Sequence, residues 1–187
     1  NEIGGIEQIK EDEEFVYLRA GAGVNWHVFV QHCVQQNFGG AENLSLIPGN
    51  VGASPMQNIG AYGVEIKDLF EELEAYHLND KSVAKFSNSD CAFGYRESVF
   101  KHQYKNQFVI LNVTYKLRKQ PLFNTSYGAI NQELEQMGIT ELSVQSISQA
   151  VINIRSSKLP DPKVIGNAGS FFKNPSVSKE KYHELQN

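Results

Sequence analysis

Three stretches of the sequence carry more glycine, amide and isolated charge than chain reversal alone requires: Pro48 to Gly63 (PGNVGASPMQNIGAYG), Phe93 to Ser98 (FGYRES) and Arg155 to Asn174. In the first, Gly49, Gly52, Gly60 and Gly63 are separated by small or amide residues with no helical period. Glycine lets the backbone approach a ligand closely, so main-chain N–H groups can reach phosphate or ring oxygens, and Gln57 and Asn58 add neutral donors. Together the three stretches suit an anionic ligand with a flat ring. Taken alone, the first stretch reads at least as well as a set of tight turns, because it lacks the GxGxxG spacing and the following helix of a dinucleotide-binding turn.

Other chemistries are poorly served. The five histidines form no HxxxH or HExxH pattern that would hold a metal. Cys33 and Cys91 lie far apart and form no CxxC pair, so they read as buried, reduced thiols of a cytoplasmic protein. A net charge of -4 without a Lys/Arg-rich stretch argues against nucleic acid as a partner. No apolar run approaches the roughly 20 residues that span a bilayer, which points to a soluble protein away from the membrane. At 187 residues the chain is within the size of one domain with a real core. It opens on Asn1 and shows no signal peptide, from which a start inside a longer protein is expected.

The elements that must position these stretches are legible from periodicity. Glu14 to Ala20 alternates as a strand, with Val16, Leu18 and Ala20 on one face and Phe15 and Tyr17 on the other. After a turn at Gly21 to Gly23, Asn25 caps a helix whose stripe of Trp26, Phe29, Val30, Cys33 and Val34 runs until Gly39-Gly40. Strands around Leu69 to Leu78 and Ser82 to Phe86 form a hairpin across Asn79-Asp80. Phe108 to Leu117 alternates most cleanly and should pair antiparallel. Beyond Pro121, a polar loop through Ser126-Tyr127-Gly128 leads into a helix ending near Gly138. A second helix follows from about Ser143 to Arg155, its Val144, Ile147, Val151 and Ile154 facing the sheet, and Pro160 and Pro162 end it. The tail reads as a further glycine turn and a charged remnant. The fold class is α+β: a mostly antiparallel sheet with flanking helices on one side.

The strings ENLSLIPGNVGASPMQNIGAYGVEI, CAFGYRESVFKH and IRSSKLPDPKVIGNAGSFFKNP resemble three signature blocks of the UDP-N-acetylenolpyruvoylglucosamine reductase (UDP-N-acetylmuramate dehydrogenase) family, in that family's order and at similar separations. The resemblance implies a vanillyl-alcohol-oxidase-type (PCMH-type) FAD-binding subdomain over residues 1–160, with a tyrosine-loop insertion at about 121–140. The incomplete start of a C-terminal substrate-binding domain is implied over 161–187. It implies FAD and NADPH as cofactors and reduction of UDP-N-acetylenolpyruvoylglucosamine to UDP-N-acetylmuramate, a cytoplasmic step of peptidoglycan precursor synthesis.

Residue by residue, the resemblance assigns FAD contacts, mainly through the main chain, to Ile47, Gly49, Gly52, Ala53, Ser54, Asn58, Gly60 and Ala61, and a flavin-contacting arginine to Arg155. Tyr95 and Arg96 match the substrate-site tyrosine and arginine. An arginine suits a carboxylate because its planar fork pairs bidentately and stays charged. Read without the resemblance, Arg96 is a surface partner for Glu97 or another acid. Ser170 matches the serine that protonates the enolate-like carboxylate after hydride addition to the vinyl carbon, a general-acid role of roughly 10² to 10⁴ in rate. Lys158 and Asn174 match polar substrate-site positions, and Tyr127 matches the tyrosine that closes over substrate in one family subtype.

The family's N-terminal flavin subdomain and its catalytic glutamate have no counterpart in these residues. The chain by itself is therefore expected to be inactive, and to associate with copies of itself through uncovered strand edges. Two other readings stay open: a different flavin oxidoreductase of the same fold, and a non-catalytic nucleotide-binding module.

Overall fold

The computed structural model describes residues 2–160, 164–166 and 172–186. Five strands build the main sheet: β1 (Ile6–Glu11), β2 (Phe15–Gly21), β5 (Phe70–His77), β6 (Ser82–Ser87) and β7 (Phe108–Arg118). A two-stranded ribbon, β3 (Gly60–Ala61) and β4 (Val64–Glu65), lies between β2 and β5 in sequence. The main sheet runs β1-β2-β7-β5-β6 with every neighbour antiparallel. The helices are α1 (Trp26–Gln35), α2 (Gly128–Gln136), α3 (Val144–Lys158) and α4 (Lys179–Gln186).

Alternation sorts the sheet into two faces. Val16, Leu18 and Ala20 of β2, Leu73 and Ala75 of β5, and Val113, Tyr115 and Leu117 of β7 are all buried on the inner face. The α1 stripe of Trp26, Phe29, Val30 and Cys33 closes over them. Its rings meet Tyr115 at centroid distances of 5.7 Å from Trp26 and 4.5 Å from Phe29. The opposite face is a lattice of charge. Arg19 pairs with Glu7, Asn112 donates to Glu74 at 2.8 Å, and Lys85 bridges Glu72 and Glu74. The edge strands β1 and β6 carry Glu7, Lys10, Glu11 and Lys85, charges of the kind that discourage further pairing.

The expected strands and helices are present, and three features differ from the sequence reading. β1 precedes the first expected strand; its IEQIKE pattern is exposed at five of six positions, so no apolar alternation announces it. Helix α3 runs on to Lys158 rather than stopping at Arg155, because Leu159 N–H still bonds Arg155 O at 2.9 Å before Pro160 removes the next donor. Its stripe also does not face the sheet throughout. Val144 joins the main core, but Val151 and Ile154 pack with Ala150 against Ile130 and Leu134 of α2. The i, i+4 pair on α2 packs against the second half of α3, and together they make a small separate core. The tail, read as a glycine turn and a charged remnant, contains α4, all of whose described side chains are exposed.

Among the described residues no helix is long and apolar enough to cross a membrane.

Candidate functional site

The glycine loop is laid along the turn between β2 and α1 by backbone hydrogen bonds. Trp26 N–H donates to Gly49 O at 2.9 Å, Val51 N–H to Val24 O at 2.8 Å, and Gly52 N–H to Ala22 O at 3.0 Å. Its glycines answer different demands. A Cβ on Gly52 would stand 2.6 Å from Ala22 Cβ, so that position needs glycine for packing. Gly49 sits at φ 112° with nothing within 4 Å of its Cβ direction, so it is shaped by its backbone and faces open space. A cleft of about 230 Å³ lies beside it, lined by Ala22, Asn50, Gly52, Ala53, Met56, Val109 and Ile110.

Within the loop, Ser54 is buried and bridges to the core: its hydroxyl donates to Val51 O at 2.8 Å and lies 2.7 Å from the Tyr115 hydroxyl. Asn58 is fully buried at φ 45° and ties three places together. Its Nδ2 donates to Gly94 O at 2.9 Å and to Glu65 Oε2 at 3.2 Å, while its Oδ1 accepts Lys67 N–H at 3.0 Å. The side chains of Ser54 and Asn58 therefore serve the protein itself. The main-chain N–H groups of Gly52, Ala53, Ser54 and Asn58 are also engaged within the chain. Gly49 and Ala53 are exposed, and Ile47, Gly60 and Ala61 are half-buried.

Asn58 fastens the loop to the FGYRES turn. That turn is closed by reciprocal bonds between Gly94 and Glu97, at 3.0 and 3.2 Å, with Arg96 in the left-handed region at φ 56°. Held in this way, Arg96 points its guanidinium back at the loop, donating to Gly60 O and, at 3.4 Å, to Asn58 O; Glu65 Oε1 stands 3.5 Å away. Its acidic neighbour is thus Glu65 of β4, not Glu97. The Tyr95 ring lies 5.0 Å from the guanidinium carbon and is exposed.

Glu97 instead collects two lysines and a histidine. Its carboxylate lies 2.8 Å from Lys173 Nζ, 2.6 Å from His102 Nε2 and 3.7 Å from Lys101 Nζ. The bonds from Lys173 and His102 hold the carboxyl down to about 2, far below the ordinary carboxylate range. Lys173 belongs to the third stretch, so the ion pair brings that stretch to the FGYRES turn.

A second cluster gathers around Arg155. Its Nε–H donates to Leu46 O at 3.2 Å, and its positive charge acts on the Tyr62 hydroxyl. Burial raises the Tyr62 phenol, and Arg155 opposes that rise. Tyr62 in turn meets the Tyr127 ring edge-on at 5.3 Å. On the other side of Leu46, His27 Nδ1 accepts the Leu46 N–H at 3.0 Å, and burial pushes its imidazole toward the neutral form that can accept.

Of the residues singled out in the sequence, Arg96, Tyr95, Asn58 and Gly60 converge on one place, and Arg155 and Tyr127 on a neighbouring one joined to it through the chain from Gly60 to Tyr62. Lys158 and Asn174 are exposed. Ser170 lies outside the described residues. Sequence reasoning missed Glu65, Tyr62 and the Glu97–Lys173 pair as members of the site. Each makes its contact across segments distant in sequence, and no local pattern marks such pairs. Among the described residues no group of His, Cys, Asp or Glu is placed to hold a metal ion.

Residues 3–83 match the FAD binding domain family. The chain is 53% identical over 186 residues to the UDP-N-acetylenolpyruvoylglucosamine reductase of Amoebophilus asiaticus, covering 100% of this chain and 55% of that protein. It is 51% identical over 185 residues to the Flavobacterium johnsoniae reductase of the same name, with 98% and 55% covered. Against the Pseudomonas syringae pv. tomato reductase it is 50% identical over 182 residues, with 97% and 53% covered. The chain thus spans about half the length of the curated relatives it matches. Among solved structures, the UDP-N-acetylenolpyruvylglucosamine reductase of Thermus caldophilus superposes with a TM-score of 0.61 at 23% identity. The match covers 90% of this chain and 53% of that one, a likeness that speaks to the fold.

Proposed function

The chain belongs to the UDP-N-acetylenolpyruvoylglucosamine reductase family, and from that premise we propose that the whole protein reduces UDP-N-acetylenolpyruvoylglucosamine to UDP-N-acetylmuramate with FAD and NADPH, in peptidoglycan precursor synthesis in the cytoplasm. The observation that carries the reading is convergence. Three sequence blocks separated by tens of residues are fastened to one another: the glycine loop to the FGYRES turn through Asn58 and Arg96, and the third block to that turn through Lys173 and Glu97.

The residues present fit FAD in stated respects. Gly49 faces open space beside a cleft lined by Ala22, Asn50 and Ile110, and the lack of a side chain there suits the close approach of a flat ring. Ile47, Gly49, Ala53, Gly60 and Ala61 would hold the group, and Arg155 would contact the flavin. The chemistry supplied by FAD bound there would be hydride transfer, from NADPH to the substrate. The chain's own residues then bind and orient. In this reading Arg96 pairs with the enolpyruvyl carboxylate and stabilises the charge that grows there, Tyr95 packs beside it, and Tyr127 folds over the sugar nucleotide. Lys158 and Asn174 contact its polar groups, and Ser170 gives the proton to the carbon next to the carboxylate. Residues 1–160 form the flavin subdomain in this account, and 161–187 open the substrate domain.

The test is NADPH consumption by the whole protein with UDP-N-acetylenolpyruvoylglucosamine, comparing wild type with Ser170→Ala. The reading expects turnover in the wild type, and in the variant loss of turnover with flavin reduction by NADPH retained. A wild type that oxidises NADPH only with other acceptors would point to a different flavin oxidoreductase.

A further inference from the structure

We propose that Glu97 is a positioning residue for the reduction, holding the segment that carries Lys173 and Asn174 in register with the Tyr95–Arg96 turn. The inference deepens the reductase reading and rests on it.

Side-chain burial does not fix the segment. Every described side chain from 172 to 178 is exposed, with Phe172 at 83%, so apolar burial cannot set its place. What it does have is a defined polar contact: Lys173 Nζ lies 2.8 Å from Glu97 Oε1 and 5.7 Å from the centroid of the Tyr95 ring. One exposed ion pair contributes little in general, because two long side chains must be ordered to form it. Here one partner is ordered in advance. Glu97 is pinned through its backbone to Gly94, through its second carboxylate oxygen to His102 at 2.6 Å, and faces Lys101 at 3.7 Å. Lys101 also donates to Arg96 O at 2.9 Å, so the same cluster braces the left-handed backbone of Arg96. Glu97 and Arg96 are adjacent, and their side chains go opposite ways, Arg96 to the glycine loop and Glu97 to Lys173. The turn therefore registers the third block against the first. Asn174 follows Lys173 directly, and Ser170 precedes it by three residues.

The test uses the whole FAD-loaded protein as wild type, Glu97→Gln, Lys173→Met and the double variant. Amide hydrogen exchange over 172–178 is expected to quicken about two- to fivefold in each single variant, the opening that loss of one surface ion pair produces, with β7 exchange unchanged. In stopped flow, flavin reduction by NADPH should be unchanged, while reoxidation by UDP-N-acetylenolpyruvoylglucosamine should slow by roughly 10- to 100-fold, the scale of a small misplacement of a reacting group. The double variant should be no slower than Glu97→Gln. Unchanged exchange in Glu97→Gln overturns the proposal, as does quickened exchange with reoxidation at the wild-type rate. A wild type whose flavin is not reoxidised by this substrate would overturn the reductase reading instead, and the exchange comparison would still decide whether Glu97 holds the segment.

Discussion

Gly60 and Arg96 are fitted to each other: the Arg96 guanidinium donates to Gly60 O, and a Cβ built on Gly60 would stand 2.8 Å from Arg96 Nη1 and 2.9 Å from Val64 O. The Val64 contact is to backbone within the β3–β4 ribbon, so it cannot yield by a side-chain rotation. Gly60→Ala should push the ribbon and the guanidinium apart. The expected result in the whole protein is a drop in kcat/KM for the enolpyruvyl sugar nucleotide of about 100-fold, with a far-UV circular dichroism spectrum like the wild type. Steady-state kinetics checks it, and a near-normal kcat/KM would show that Arg96 does not depend on this fit.

The core reaches the loop through Tyr115, which is fully buried and within 2.7 Å of the Ser54 hydroxyl. Since Ser54 donates its own proton to Val51 O, Tyr115 is the donor to Ser54. Tyr115→Phe keeps the ring contacts with Trp26 and Phe29 and removes that donation. A loss of about 1–2 kcal/mol in urea unfolding is expected, with the glycine loop more open to proteolysis.

Both thiols should be silent. Cys33 is fully buried and burial pushes its thiol far up; burial raises Cys91 to about 12. At pH 8 the folded protein should not react with Ellman's reagent over minutes, and both thiols should react at once in guanidinium chloride. Fast labelling of Cys33 in the native state would contradict the packing of α1 against β7.

Glu42 gives a pH dependence with a definite sign. The residue is 2% exposed, and its carboxyl accepts Gly40 N–H at 2.6 Å and is raised by burial above its ordinary value of 4.5. The folded state therefore binds this proton more tightly than the unfolded chain. The stability so gained is fully present below 4.5 and is lost as pH rises through the raised value. Glu42→Gln should remove this dependence, so its stability relative to wild type should grow as the pH is raised from 4.5. A difference that stays flat across a pH series of denaturant unfolding would show that burial does not raise the Glu42 carboxyl.

Much of the frame was legible because single elements announce themselves. The alternation through Val109 to Leu117 marks β7, and Asn25 caps α1 with its side chain accepting Val28 N–H at 3.2 Å. Strand β1 was not legible, since a charged edge strand buries too little to show a period. The α3 stripe gave its own spacing but not its partner, because whether Val151 meets the sheet or Ile130 depends on where α2 packs. The site follows the same division. The glycines and Arg96 stand out by type and block spacing, whereas Glu65, Tyr62 and the cations around Glu97 enter only when loops meet in space.

The central claim is that the turn bearing Arg96 binds the enolpyruvyl carboxylate, and stopped-flow flavin reoxidation in whole-protein Arg96→Lys tests it most directly. Lysine keeps the charge and loses the fork that pairs with a carboxylate. The account predicts flavin reduction by NADPH at the wild-type rate and reoxidation by UDP-N-acetylenolpyruvoylglucosamine slowed by about 10² to 10³. Reoxidation at the wild-type rate would contradict it.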